Sequence, residues 1–247
     1  MRRLAAVAVL VLAAVLVPAA PAAAALPDRL THLGNARQVI VVTGRGWHST
    51  HATLRAYRLD AAGHWRPAFA AMPARTGYGG WKWAAERVQD TGQTPAGTFT
   101  VTEAFGVRAD PGTALPYRRV DGNDYWVGDR RDPRTYNVFE PAAKPRTWRL
   151  SQAERLADYP RQYAYAAVID FNRPAGVHWS RKLREYVTAT PSHIGRGSAI
   201  FLHASGKGST AGCVSTGRAN VARLLRWLDP SQHPRIVMAP SAAITRA

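Results

Sequence analysis

The chain contains many short apolar runs, most of them bounded by Gly or Pro. Runs of this length that are rich in Val, Ile, Thr and Phe predict buried β-strands, because helices need longer periodic segments. The Gly and Pro residues between them indicate turns and loops. The predicted strands are Gln38–Thr43, Thr53–Leu59, Trp65–Met72, Thr98–Thr102, Ala164–Asp170, Ser198–His203 and Arg235–Ala239, with a hairpin turn at residues 61–63.

Two segments predict short helices. Ser151 and Glu154 have capping-box spacing, and Pro160 would end the helix that they begin. The second helix is capped by Thr216 and places Val221, Leu224, Leu225 and Leu228 on one face. Residues 110–149, rich in Pro, Gly, Asp and aromatic side chains, predict long loops or short strands that line a binding surface. With 46% hydrophobic residues and no internal repeat, the sequence predicts a single β-rich α+β domain with a few short helices.

The N-terminal segment predicts export from the cytoplasm. Arg2-Arg3 precedes an unbroken apolar run, residues 4–17, and small residues with an Ala23-x-Ala25 pattern come next. The run is shorter than the roughly 20 residues that span a bilayer, so we interpret residues 1–25 as a signal peptide. The domain then covers 26–247, with its core at about 38–239. No later segment is apolar enough to be a transmembrane helix, so we expect a secreted, extracytoplasmic protein at the cell wall.

The basic charge, formally +17 at pH 7, favours an anionic environment. No Lys/Arg-rich run with interleaved aromatic residues is present, so nucleic acid is not expected as a partner. For an exported protein, anionic cell-wall polymers are the candidate partners. The alternative interpretation is that the charge only provides solubility.

The lone cysteine, Cys213, has two open interpretations. An unpaired thiol in an oxidising compartment is either buried and inert or kept for its reactivity. His203 follows an apolar strand ten residues earlier, and Cys213 comes just before the predicted helix. An imidazole base and helix N-terminal amides would lower the pKa of the thiol and activate it. Gly212 leaves room for inward-pointing amides, as an oxyanion hole requires.

These residues resemble the L,D-transpeptidases, the YkuD-like catalytic domains. Thr210, Gly212, Cys213 and Val214 match the family motif, His203 matches by placement, and residues 93–99 resemble its Thr-Pro-x-Gly-x-Phe segment. Two positions depart from the motif: Ala211 stands where the family often has His, and Ser215 where it usually has Arg or Asn. The resemblance covers most of the chain after the signal peptide and implies a β-sandwich fold.

The resemblance implies peptidoglycan stem peptides as the substrate. Cys213 would be the nucleophile and His203 the general base, with the Ala204 carbonyl orienting the imidazole. The backbone N–H groups of Gly212 and Cys213 would hold the oxyanion. The product would be a 3→3 cross-link, formed without metal or organic cofactor, and we expect a monomer. Two alternatives stay open: an L,D-carboxypeptidase that passes the same thioester to water, and a non-catalytic wall-binding module.

Two further clusters have weaker interpretations. His48, His51, His178 and His193 lack the carboxylate and spacing of a zinc peptidase, so no metal site is predicted. Trp81, Trp83, Tyr125 and Trp126 suggest either a sugar-stacking platform or buried core, and we favour the core.

Overall fold

The computed structural model describes residues 25–247. The predicted signal peptide therefore lies outside the described residues, except for Ala25. The strands are β1 (Gln38–Gly44), β2 (His51–Leu59), β3 (Trp65–Pro67), β4 (Met72–Arg75), β5 (Trp81–Trp83), β6 (Thr94–Thr100), β7 (Ala104–Gly106), β8 (Tyr117–Arg119), β9 (Asp124–Val127), β10 (Phe139–Pro141), β11 (Ala153–Arg155), β12 (Ala166–Val168), β13 (His178–Ser180), β14 (Glu185–Val187), β15 (Phe201–Ala204), β16 (Val214–Thr216) and β17 (Arg235–Pro240).

Helices are few and short. One α-helix, α1 (Arg218–Trp227), is present in the described part of the chain. Short 3-10 helices cover Leu26–Arg29, Ala84–Glu86, Leu150–Gln152, Leu156–Asp158, Gln162–Ala164, Pro230–Gln232 and Ser241–Arg246. The strand-rich composition confirms the predicted fold class.

Most strands belong to one 12-stranded sheet in the order β5-β6-β17-β1-β2-β4-β16-β15-β12-β7-β8, with β3 paired to β2. Two small sheets, β10-β9-β11 and β13-β14, accompany it, and the sheets pack as a sandwich. Neighbours in the large sheet are often distant in sequence: β1 pairs in parallel with β17, and β15 pairs in parallel with β16. These long-range pairings bring the two ends of the described chain and the two candidate catalytic residues into one layer.

Most predicted strands are confirmed. The apolar run at Gln38 is β1, buried along most of its length, and the predicted hairpin is β2 paired antiparallel with β3. The helix face predicted from Val221, Leu224, Leu225 and Leu228 is buried in the main core. The segment 110–149 contains only short strands and loops, as predicted.

One predicted helix and the predicted cap of the other are wrong. Ser151 and Glu154 do not begin a helix: a 3-10 turn at residues 150–152 leads into β11, which pairs with β9. Thr216 does not cap α1, because it lies in β16 and Gly217 occupies the N-cap position instead. In the first segment, hydrogen bonds to β9 replace the local helix that capping chemistry favours. In the second segment the helix forms, but the pairing of β16 with β15 and β4 delays its start to Arg218.

The apolar side chains form two buried clusters. The larger one joins β1, β2, β17 and α1. The smaller one is aromatic, with Phe105, Trp126 and Phe201 in edge or stacked contact, and it includes Tyr163 and Cys213. Trp81 and Trp126 are 3% and 2% exposed, so for these two residues the core interpretation is confirmed.

Candidate active site

His203 and Cys213 are brought together by the parallel pairing of β15 with β16. His203 lies within β15, opposite Ser215, and Cys213 immediately precedes β16. The backbone N–H of Phe201, two residues before His203 on the same strand, donates a hydrogen bond of 3.3 Å to Cys213 Sγ. Residues two apart on a strand point to the same side. Both candidate residues line one cleft of about 730 Å³.

His203 has a defined tautomer. Its Nδ1 lies 2.8 Å from the Ala204 carbonyl oxygen, which can only accept, so Nδ1 carries the proton and Nε2 keeps the lone pair. Burial lowers the pKa of His203 to about 4 and outweighs the hydrogen bond to Ala204, which acts in the opposite direction. The ring of Tyr163 meets the imidazole edge-on, with centroids 5.5 Å apart. The imidazole is therefore a fixed, neutral base at neutral pH.

Cys213 is 7% exposed, and its thiol donates to the Ala199 carbonyl at 3.3 Å. Burial, and to a smaller extent the Glu154 charge, raise the pKa of Cys213 to about 12. The Phe201 N–H and the Arg87 charge act in the opposite direction. The expectation of a lowered pKa at a helix N-terminus is wrong, since β16 follows Cys213 and α1 begins only at Arg218. The pKa shifts therefore favour a neutral thiol and a neutral imidazole, both lining the same cleft.

Thr210 holds the turn that delivers Cys213. Its hydroxyl donates to the Cys213 carbonyl at 2.6 Å and accepts from the Gly212 N–H at 3.2 Å. The Gly212 N–H is therefore already engaged in this structure, and its role as an oxyanion donor stays a prediction. Within residues 25–247, the Cys213 N–H donates to no group, so of the two predicted donors it is the one that stays available.

Glycines allow three segments to pack closely around this turn. A Cβ atom on Gly77 would lie 2.0 Å from the Gly92 carbonyl oxygen and 3.1 Å from the Gly212 Cα. The Tyr78 N–H donates to the Thr210 carbonyl, and the Gly77 N–H donates to the Thr94 hydroxyl, both at 2.8 Å. The Thr-Pro segment singled out in the sequence thus supports the turn that carries Cys213.

Sequence reasoning missed three residues of the cleft. The charges of Arg87 and Glu154 shift the pKa of Cys213. The Tyr163 hydroxyl donates a hydrogen bond of 2.5 Å to Glu154 Oε1. Burial raises the pKa of Glu154 to about 6 in spite of this hydrogen bond, which acts in the opposite direction. The spacing of Glu154 predicts only a helix cap, and no motif surrounds Arg87. Only the folded structure shows that both residues line the cleft of Cys213.

The two departures from the family motif have different surroundings. Ala211 is exposed at the cleft, whereas Ser215 is fully buried in β16 and lies 3.4 Å from the Ser205 hydroxyl. Neither residue carries a charge, so position 215 supplies no cation to the site.

Within residues 25–247, no group of three or more His, Cys, Asp or Glu side chains is arranged to hold a metal ion. The helices of this part of the chain are all too short or too polar to cross a membrane.

The family comparison agrees with this geometry. The model of the L,D-transpeptidase catalytic domain, YkuD, matches residues 32–237. The chain therefore belongs to the L,D-transpeptidase family, whose activity is directed at peptidoglycan, and the resemblance seen in the sequence is confirmed. Comparisons with curated proteins and with solved structures gave no match.

Proposed function

We propose that this protein is an L,D-transpeptidase that forms 3→3 cross-links in peptidoglycan through a thioester on Cys213. The observation that carries the proposal is that His203, within β15, and Cys213, just before the paired parallel strand β16, line one cleft, with His203 fixed as an Nε2 base by the Ala204 carbonyl. The role of each residue below is part of the proposal.

In the first half-reaction the Cys213 proton passes to His203 Nε2 as the sulfur attacks a carbonyl carbon. That carbon belongs to the third residue of a donor tetrapeptide, a diamino acid. The oxyanion accepts a hydrogen bond from the Cys213 backbone N–H, which has no other acceptor in the described part of the chain. When the bond to the terminal D-alanine breaks, His203 returns the proton to the leaving amine, so a thioester and free D-alanine result.

In the second half-reaction the amine of a neighbouring stem attacks the thioester. His203 takes a proton from this amine, the C–S bond breaks, and the Cys213 sulfur leaves with that proton as a thiol. Because both pKa shifts favour neutral groups, the thiolate forms only as the reaction proceeds. Substrate binding, which excludes water, would accompany that step.

The proposal includes the location of the enzyme. The signal segment 1–25 would direct export and the domain 26–247 would act as a monomer at the cell wall. The basic surface, formally +17 for the whole chain, suits an environment of anionic polymers.

The test uses purified disaccharide-tetrapeptide fragments, incubated with the protein and resolved by mass spectrometry. We expect a cross-linked dimer that has lost one D-alanine, and no product with Cys213→Ala. A trimmed monomer alone would replace the transpeptidase with the carboxypeptidase. An unchanged substrate with folded protein and reduced thiol would overturn the proposal in favour of a wall-binding module.

A further inference from the structure

Arg87 is a buried cation without a counterion. Its side chain is 4% exposed, and within the described residues it forms no ion pair with a carboxylate. Its Nε donates to the Gln93 carbonyl and its Nη1 to the Arg196 carbonyl, both at 2.7 Å. Arginine is rarely buried unless paired, because desolvating the charge is unfavourable. A buried guanidinium bonded only to neutral carbonyls therefore calls for an anion that binds or forms beside it.

Two glycines make the space for this guanidinium. A Cβ atom on Gly197 would lie 1.7 Å from Nη1, and one on Gly212 would lie 2.9 Å from Nη2. Both glycines have positive φ angles, +116° and +131°, which side-chain-bearing residues rarely adopt. The ring of Phe171 lies against the guanidinium, 5.5 Å from centroid to carbon. Nη2 is thus held against the residue that precedes Cys213.

Nη2 is also the part of Arg87 that remains available. Within residues 25–247 it donates to no group, and Arg87 lines the same cleft as Cys213. The carboxylate whose charge acts on Arg87, Asp90, is engaged elsewhere, because it pairs with Arg130 at 2.8 Å. The remaining group beside Arg87 that becomes negative during the proposed reaction is the Cys213 thiol. Burial lowers the pKa of Arg87, and the charge of Cys213 acts in the opposite direction.

We propose that Arg87 is the cation that stabilises negative charge at Cys213, holding the thiolate through Nη2 as His203 takes the proton. The inference rests on the proposed function for its role in catalysis, but the effect of Arg87 on the thiol can be measured without substrate. Arg87 thus lowers the pKa of the Cys213 thiol, a role that the sequence predicts for a helix N-terminus. It does so from a position 126 residues before the nucleophile. Arg87 acts on the reactivity of Cys213 and does not itself transfer a proton.

The test is alkylation of Cys213, which is clean because the chain has one cysteine. Wild type and Arg87→Met are treated with iodoacetamide at pH 8, and adduct formation is followed by intact mass. Methionine fills similar volume without charge, and because Arg87 has no ion-pair partner within the described residues, its replacement leaves no opposite charge buried and unpaired. We expect Arg87→Met to react about tenfold more slowly, the change that one pKa unit makes in thiolate fraction. Arg87→Lys, which keeps a charge, should react at a rate between the two.

A second reagent separates charge from access. Iodoacetate is negative and similar in size to iodoacetamide. The rate with iodoacetate divided by the rate with iodoacetamide, here called the reagent ratio, therefore reports the local charge. We expect this ratio to be several-fold lower in Arg87→Met than in wild type. Arg130→Met is the matched control, because it removes the same charge from an exposed pair near the cleft and should leave both readouts within about twofold.

Three outcomes would overturn the inference. They are a folded Arg87→Met that alkylates at the wild-type rate, an equal loss in Arg130→Met, and a wild-type reagent ratio no higher than that of the unfolded protein. The last measurement needs no variant, so it decides the question even if Arg87→Met does not fold. None of the readouts uses peptidoglycan, so failure of the proposed function leaves the result interpretable.

Discussion

The two charges that act on Cys213 differ in sign, in support and in response to pH. Arg87 is held by two backbone carbonyls and by the ring of Phe171, and it stays protonated. Glu154 is held by the Tyr163 hydroxyl and has a pKa of about 6. Arg87 lowers the pKa of the thiol and Glu154 raises it. The charge around the nucleophile is therefore positive in acid and close to balanced above pH 6.

This difference shows how reactivity can be set without a helix dipole. Arg87 follows the 3-10 helix 84–86 and lies beside Gly212, whereas Glu154 lies on β11 beside the Tyr163 that contacts His203. The nucleophile thus lies in a field made by two segments that are unrelated in sequence. Because Arg87 is buried and Glu154 is half-buried, their charges are screened less than those of exposed groups.

His203→Ala tests whether the general base contributes more to turnover than the charges of Arg87 and Glu154. We expect turnover of a tetrapeptide fragment to fall by at least about 10²-fold, the range for loss of a general base, because neither Arg87 nor Glu154 can replace Nε2. The cross-linking assay of the proposed function measures this, with circular dichroism as the control for folding. A variant that keeps a tenth or more of the wild-type turnover would contradict the assignment of His203.

Glu154→Gln should act in the opposite direction to Arg87→Met. At pH 8 the Glu154 carboxylate is ionised, since its pKa is about 6, so glutamine removes a negative charge and the pKa of Cys213 falls. We expect iodoacetamide to react about three to ten times faster, the change produced by half to one pKa unit. Below pH 6 the difference should shrink, because wild-type Glu154 is then protonated.

Asp158→Asn is the matched control for this variant. Asp158 is an exposed acid four residues further along, paired with Arg155, so its loss should leave the rate unchanged within about twofold. An unchanged rate in Glu154→Gln, or a difference that persists at pH 5, would show that Glu154 does not act on Cys213 through its charge.

The sequence predicts those parts of this arrangement that have local signals. The β1 and β17 runs are apolar enough to indicate buried strands, and α1 shows its apolar face every three to four residues. His203 and Cys213 stand out because the motif is short and the cysteine is unique. These features survive folding because local preference and tertiary packing agree.

The rest depends on contacts between distant segments. Glu154 has capping-box spacing, yet β11 pairs with β9, and its functional neighbour Tyr163 contacts it only after the chain turns back. Arg87 bonds to Arg196, 109 residues away, and no periodicity records that contact. Cys213 likewise precedes a strand instead of a helix because β16 fits between β15 and β4. Propensity is a weak guide wherever such long-range pairing competes with it.

The double variant Arg87→Met with Glu154→Gln gives the smallest expected change and the sharpest comparison. If the two charges act on Cys213 independently, the logarithms of their effects on the alkylation rate at pH 8 add, and the opposing changes bring the rate to within about threefold of wild type. A double-mutant cycle measures this from four rates. A large coupling would mean that Arg87 and Glu154 also act on each other across the cleft, so that removing one changes the ionisation of the other. In that case the pH profile of Arg87→Met would show Glu154 titrating above its value of about 6, because loss of a nearby cation disfavours the carboxylate. An additive cycle with no such shift would mean that the charges of Arg87 and Glu154 act on Cys213 independently of each other.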